Sequence, residues 1–322
     1  MDLNMDSLAF VGSTALFSTL LYFRGRYSKK NLSENPLVCG QGRLKSHVCL
    51  AAHPTPEEAR RHVLQTSCSP FAVILNGVWD FTLCGTIAEA LEARKKGHRK
   101  GHIWVPSSWQ VAAERQGVTD IPLYTNIKYI IPTESLTVPE ANPTGYYFKS
   151  IQLPPWWAGR RIVVNFGGVD SCMYLYVNGT YIGYSSDSRL PAEFDITHHS
   201  YVDGRNTIIE VIVPRFSMGS FLEDQDMWNL SGIFREVTVY ALPKPVHIMD
   251  FDWKCDLGKY SSETDTFVSA VIHVTTRLEW SAAFLRQISG GSTRIGSDCP
   301  HYAQLSDDWE VDISLFTEGV LI

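Results

Sequence analysis

The sequence predicts an all-β chain: a two-sheet antiparallel sandwich, followed by the opening strands of a second, incomplete sandwich. Three observations predict it. Between residues 71 and 242, nine short runs rich in Val, Ile, Tyr, Phe and Trp follow one another with turn residues between them and no alternating helices. Asn178-Gly179 separates CMYLYV from TYIGYS, and both residues tolerate the positive φ of a type I′ hairpin. The helical signals are few and short.

The first helix opens at Thr55-Pro56-Glu57-Glu58, a capping box with proline at the first helical position, and runs to about residue 66. The second opens at Thr86 with Glu89 and stops at Gly97. Strands are predicted at 78–83, 102–106, 128–132, 145–153, 161–166, 172–177, 181–185, 207–216 and 236–242. ALPKPVH (241–247) interrupts the pattern with two prolines and marks a boundary. The expected domains are 1–45, an apolar leader and linker; 46–243, the sandwich; and 244–322, a partial second sandwich. A complete sandwich of the second kind needs about 100 residues, so the strand at LFTEGVLI reads as a missing end.

Composition narrows the function. The chain has 322 residues and a net charge of −6, which argues against a nucleic-acid partner. Its one basic cluster, RKKGHRK (94–100), reads as a solvated helix end. Seven scattered cysteines without a C-x-x-C pair read as reduced thiols in the cytoplasm. Residues 8–23 are uncharged and followed by RGRYSKK. Two readings stay open, a membrane-associated tail and a leader without fixed structure.

FLEDQDMWNLSGIFR (221–235) puts Glu223, Asp224 and Asp226 among large apolar side chains. Buried unpaired carboxylates are costly, so these acids need a cation, donors or a hydroxyl-rich ligand. Asp224 and Asp226 would share one face of an extended chain, about 7 Å apart, so a catalytic carboxyl pair is not forbidden. The better expectation is that Arg189, Arg215 and Arg235 and backbone N–H groups hold them. No G-x-S-x-G elbow, H-E-x-x-H or Gly-rich phosphate loop occurs.

VPSSWQ (105–110), PLYTN (122–126), NPTGYY (142–147), VNGTYIGYSSDSRLPAEFD (177–195) and FLEDQDMWNLSGIFREV (221–237), with LNGVWDF (75–81) and LAAHP (50–54) upstream, closely resemble the amino-terminal part of LacZ-type β-galactosidases, a glycoside hydrolase family 2-like group. The resemblance implies a jelly-roll (galactose-binding-like) sandwich, an immunoglobulin-like sandwich, and then a TIM barrel carrying both catalytic glutamates. A barrel takes roughly 250 residues, so no catalytic residue is expected in this chain and, alone, it is expected to be inactive. The resemblance places Asn126 and Asp187 as substrate-binding residues for a β-galactoside. It makes Asp187 a partial sodium ligand and puts the magnesium ligands on the absent barrel. Glu223, Asp224, Asp226, Trp228 and Arg235 fall where the barrel would dock.

Departures exist: Ser186 stands where the family usually has Gln, Ser108 where it has Asn, and FSMGSF (216–221) where bacterial members carry W-S-D-G-S-Y. The family also implies a homo-oligomer, although residues 1–45 match the assembling segment poorly. The function expected is retaining hydrolysis of terminal β-D-galactosides by a longer protein. The alternative is a stand-alone carbohydrate-binding module or inactive scaffold.

Overall fold

Strand-forming runs become strands where one face can be buried, and the sequence supplies two such faces. The computed structural model describes residues 31–48, 51–62, 68–112, 120–126, 131, 137–223, 225–280, 316–317 and 320–321. The leader 8–23, Asp224 and most of the strand candidate 128–132 lie outside them. The chain divides into two compact units. One joins Ala72–Ala241 with the residues up to Ser46, and the other joins His47–Phe71 with the residues from Leu242 onward. Residues 47–71, grouped by sequence with the first domain, thus belong to the second unit, where Val48 N–H donates to Asp250 Oδ1 at 3.1 Å.

The first unit runs β1 (Gly40–Gln41), β2 (Ala72–Ile74), β3 (Gly77–Cys84), β4 (Gly101–Val105), β5 (Leu123–Thr125), β6 (Thr144–Gln152), β7 (Ile162–Phe166) and β8 (Val169–Asp170). It continues with β9 (Met173–Val177), β10 (Thr180–Ser185), β11 (Ala192–Asp195), β12 (Asn206–Pro214), β13 (Met227–Asn229), β14 (Gly232–Ile233) and β15 (Val237–Ala241). One sheet has the order β1-β10-β9-β12-β6-β3-β4, the other β11-β7-β15-β2. Every pairing among them is antiparallel. Two small ribbons, β13-β5 and β14-β8, complete the unit.

β12 shows why its sequence is almost continuously apolar. Ile209, Val211 and Val213 face the main core with Trp79, Phe81, Val164 and Phe166. On the opposite face, Ile212 joins Tyr146, Cys84 and Ala90 beneath the helix Ile87–Lys96. Both faces of the strand are covered, so alternation is lost. Trp79 is fully buried and its indole N–H donates to Leu75 O at 2.8 Å, which satisfies the one polar atom it carries inside.

The turn chemistry acts as the sequence indicates. Asn178 and Gly179 close the β9–β10 hairpin at φ 48° and 81°. The Thr55 and Thr86 hydroxyls accept from the Glu58 and Glu89 amides, each at 3.2 Å, and Gly97 ends the second helix at φ 64°. The basic cluster after that helix is less solvated than its composition suggests. Arg94 is half-buried, pairs with Glu210 at 3.1 Å and lies 3.7 Å over the Tyr176 ring, while Arg99 lies 3.5 Å over Phe148. These two arginines fasten the helix and its exit to the sheet.

In the second unit, β16 (Val246–Leu257) and β19 (Ala270–Trp280) pair antiparallel, with the short hairpin of β17 (Tyr260–Ser261) and β18 (Thr266–Phe267) between them. A further small hairpin joins β20 (Phe316–Thr317) to β21 (Val320–Leu321). Trp253, Leu257, Val271 and Ile272 are exposed on the long ribbon. Among the described residues this unit has the strands to begin a sandwich but no facing sheet.

Candidate functional site

The polar stretches that the sequence singles out converge at the end of the sandwich where β10 and β12 finish. β10 ends at Ser185, and the loop 186–191 carries Asp187 before β11 begins. β12 ends at Pro214, and residues 217–223 turn back toward that loop. Ser188 joins them: its amide donates to Glu223 Oε1 at 3.2 Å and its hydroxyl to Glu223 Oε2 at 2.5 Å. Glu223 therefore staples the Asp187 loop to the second turn.

Asn126 comes from the other side, at the exposed end of β5. β5 pairs with β13 so that Thr125 lies opposite Met227, Tyr124 opposite Trp228 and Leu123 opposite Asn229. The Tyr124 phenol donates to the Asp226 carboxylate, and Asn126 is in hydrogen-bond reach of the same phenol. The bond to Asp226 raises the Tyr124 pKa. Met227 is where the two sides meet. Its backbone is opposite Thr125, next to Asn126, and its sulfur is 3.8 Å from Arg189 Nη2, two residues after Asp187.

The Asp187 carboxylate is half-buried and has no hydrogen-bond or ion-pair partner among the described residues. Its neighbour Ser188 is fully buried, and Arg189 is engaged elsewhere. One acid thus remains with acceptor capacity in this loop.

The five residues expected at a docking surface divide. Trp228 and Arg235 are exposed, and Asp224 lies outside the described residues. Glu223 and Asp226 have partners, though not the arginines expected for them. Arg189 pairs with Asp170 at 3.1 Å, Arg215 pairs with Asp120, and Arg235 Nη1 donates to Arg189 O at 2.5 Å. Glu223 is held by the Ser188 amide, a backbone donor as expected, and by the Ser188 hydroxyl, and Asp226 by the Tyr124 phenol. Tyr124 and Trp228 pack at 5.8 Å between centroids, and Leu222 is exposed nearby in sequence.

Asp170 was not singled out by sequence, because a lone acid at a strand end carries no pattern. Burial pushes its pKa up to about 7, opposed by the Arg189 ion pair and reinforced by the charge on Glu223. Arg189 is nearly half exposed, so water screens its pull and desolvation wins. The folded chain then holds this proton more tightly than the unfolded chain. Stability from this group is full below about pH 4 and is lost as pH rises to about 7. A carboxyl titration of Asp170 by NMR is expected to centre near 7, and a midpoint below 4 would show the ion pair dominating.

Among the described residues, no group of three or more His, Cys, Asp or Glu could hold a metal, and Cys39, Cys84, Cys172 and Cys255 are free thiols. None of the helices among them is long and apolar enough to cross a membrane.

The profile of the glycosyl hydrolases family 2 sugar binding domain matches residues 73–243. The β-galactosidase of Yersinia enterocolitica is 39% identical over 249 residues, 75% of this chain and 22% of that protein. The β-galactosidase of Erwinia tasmaniensis is 40% identical over 214 residues, 65% of this chain and 20% of that protein. Among solved structures, the β-glucuronidase of Bifidobacterium dentium superposes with a TM-score of 0.47 at 17% identity, over 65% of this chain and 36% of that one. The chain spans about a fifth of the length of the curated relatives it matches. It belongs to glycosyl hydrolases family 2, with the sugar binding domain of that family at residues 73–243.

Proposed function

We propose that this chain forms the non-catalytic wall of a β-galactoside pocket in a protein that hydrolyses terminal β-D-galactosides with retention. The observation that supports it is that Arg189, two residues after Asp187, reaches the Met227 sulfur, while Met227 pairs with Thr125, the neighbour of Asn126. An ionised carboxylate accepts two hydroxyl hydrogen bonds, and an amide offers donors and an acceptor together. Such a pair can fix a sugar ring through its hydroxyls without taking part in bond cleavage. Glu223 and Asp226 are occupied by Ser188 and Tyr124, which suits them to shaping the wall rather than to proton transfer.

The exposed Trp228, Tyr124 and Leu222 suit a docking face for the catalytic barrel of the same protein, with Arg235 at its edge. Burying that face would exclude water from the sugar and strengthen its polar contacts. The free Asp187 carboxylate also suits one oxygen ligand of a sodium ion, a hard cation, with the remaining ligands supplied from beyond this chain. Unpaired thiols suit a cytoplasmic protein.

The chain alone is expected to give no turnover of a chromogenic β-galactoside above buffer. Turnover by the purified chain would overturn the placement of the reactive carboxylates outside it.

A further inference from the structure

The stretch before the second unit's first segment does more than lead into the sandwich. Residues 39–44 touch both shoulders of the Asp187 loop. On the incoming side, β1 pairs with β10 through Gly40–Ser185 and Gln41–Tyr184. The Ser186 amide donates to Cys39 O at 3.0 Å, its hydroxyl reaches the same carbonyl at 3.4 Å, and Arg43 Nη1 donates to Ser185 Oγ at 3.0 Å. On the outgoing side, Arg43 bridges Phe194 and the Leu44 amide donates to Glu193 O at 2.8 Å. β10 lies in one sheet and β11 in the other, so this one short stretch ties together the two edges between which the loop 186–191 is strung.

A second anchor reaches the opposite wall. Fully buried Ser33 accepts from the Met218 amide at 2.8 Å through its carbonyl, and its own amide donates to the Tyr174 hydroxyl at 3.0 Å. Met218 opens the turn whose Glu223 holds Ser188. The backbone is shaped for this approach. Gly42 sits at φ 67°, and a methyl group there would come 2.5 Å from Ile182 O. Gly183 faces Gln41 O so closely that any side chain would displace the strand.

We infer that residues 39–44 act as a clamp that holds the Asp187 loop in place, with Arg43 as its positioning residue. The carboxylate of Asp187 has no partner of its own among the described residues, so its position follows from where the loop is fixed, at Ser188 and at its two ends. The clamp supplies backbone pairing and the Arg43 guanidinium at the Ser185 end, and a backbone bridge and bond at the Glu193–Phe194 end. Its consequence for sugar binding rests on the galactoside pocket proposed above, whereas its effect on the loop does not.

The test is hydrogen–deuterium exchange on the full chain, comparing wild type with Arg43→Ala and Gly42→Ala. The first variant removes the side-chain tie, and the second forces the strand away from β10. Exchange in residues 186–191 is expected to rise about ten-fold in both, the scale set by losing one charge-assisted hydrogen bond, while β12 in the sheet centre is unchanged. Unchanged exchange in 186–191, or an equal rise in β12, would overturn the clamp. Galactose titration supplies the second arm. Arg43→Ala is expected to weaken binding about ten-fold and to add no loss in an Asp187→Ala background. A further loss in that background would overturn the assignment of Arg43 as acting through Asp187. A loosened loop in a chain whose wild type takes up no galactose would leave the clamp standing and sink the pocket.

Discussion

Replacing Arg215 with methionine is expected to destabilise the first unit by about 3–5 kcal/mol, the cost of stranding a buried charge. The Arg215 and Asp120 side chains are only 4% and 3% exposed, and they are ion-paired. Asp120 also accepts from the Trp109 indole N–H at 2.7 Å and from the Gln110 amide at 3.0 Å. Burial pulls the Arg215 pKa down to about 10, which still leaves it charged at neutral pH. Without it, Asp120 keeps two neutral donors and no countercharge. The double change Asp120→Leu with Arg215→Met removes both charges and should recover most of the loss, to within about 1–2 kcal/mol of wild type, because apolar replacements of a buried pair are often well tolerated. Urea unfolding of the chain measures both. A loss below about 1 kcal/mol for the single variant would mean that water reaches the pair.

This pair also bears on the site. Arg215 Nη2 donates to Ile121 O at 3.3 Å and to Asn229 Oδ1 at 3.4 Å, so it ties the end of β12 to both strands of the ribbon that carries Asn126. Loss of Arg215 is therefore expected to loosen one wall of the pocket as well as the fold.

The second large effect falls on Asp187. Its replacement by alanine is expected to weaken galactose binding at least about 100-fold, since two hydrogen bonds to a charged acceptor contribute roughly 3 kcal/mol or more. Stability should change little, because the carboxylate supports nothing else among the described residues. Galactose titration alongside thermal unfolding separates the two. Equal affinity in wild type and variant would show Asp187 to be a loop residue without a ligand, and a large drop in melting temperature would show it to be structural.

Much of the fold is legible in the sequence because its signals are local. Asn178-Gly179, the two threonine caps and Gly97 fix turns and helix ends through their own neighbours, and the structure has them in those roles. Long runs such as that of β12 announce themselves by composition. The short ribbons do not: β5 and β13 are three residues each, too brief for a period to show, and each is a strand only because it finds the other about a hundred positions away. β11 was hidden inside a stretch read for its polar residues.

Partner choice was equally hidden. Arginines near Glu223 and Asp226 in sequence suggest ion pairs, yet Arg189 and Arg215 pair with Asp170 and Asp120, the more deeply buried acids. Glu223 and Asp226 sit nearer solvent, where the hydroxyls of Ser188 and Tyr124 suffice. The residue types at the site could be read in order, whereas the depth of each one could not.

Asn126 and Asp187 are expected to contact one and the same sugar. Crystals of a longer form carrying the proposed barrel, soaked with galactose, settle whether they do. A single ring with hydroxyls within about 3.2 Å of both side chains is expected. Galactose bound out of reach of either residue, with the two side chains facing separate surfaces, would contradict it.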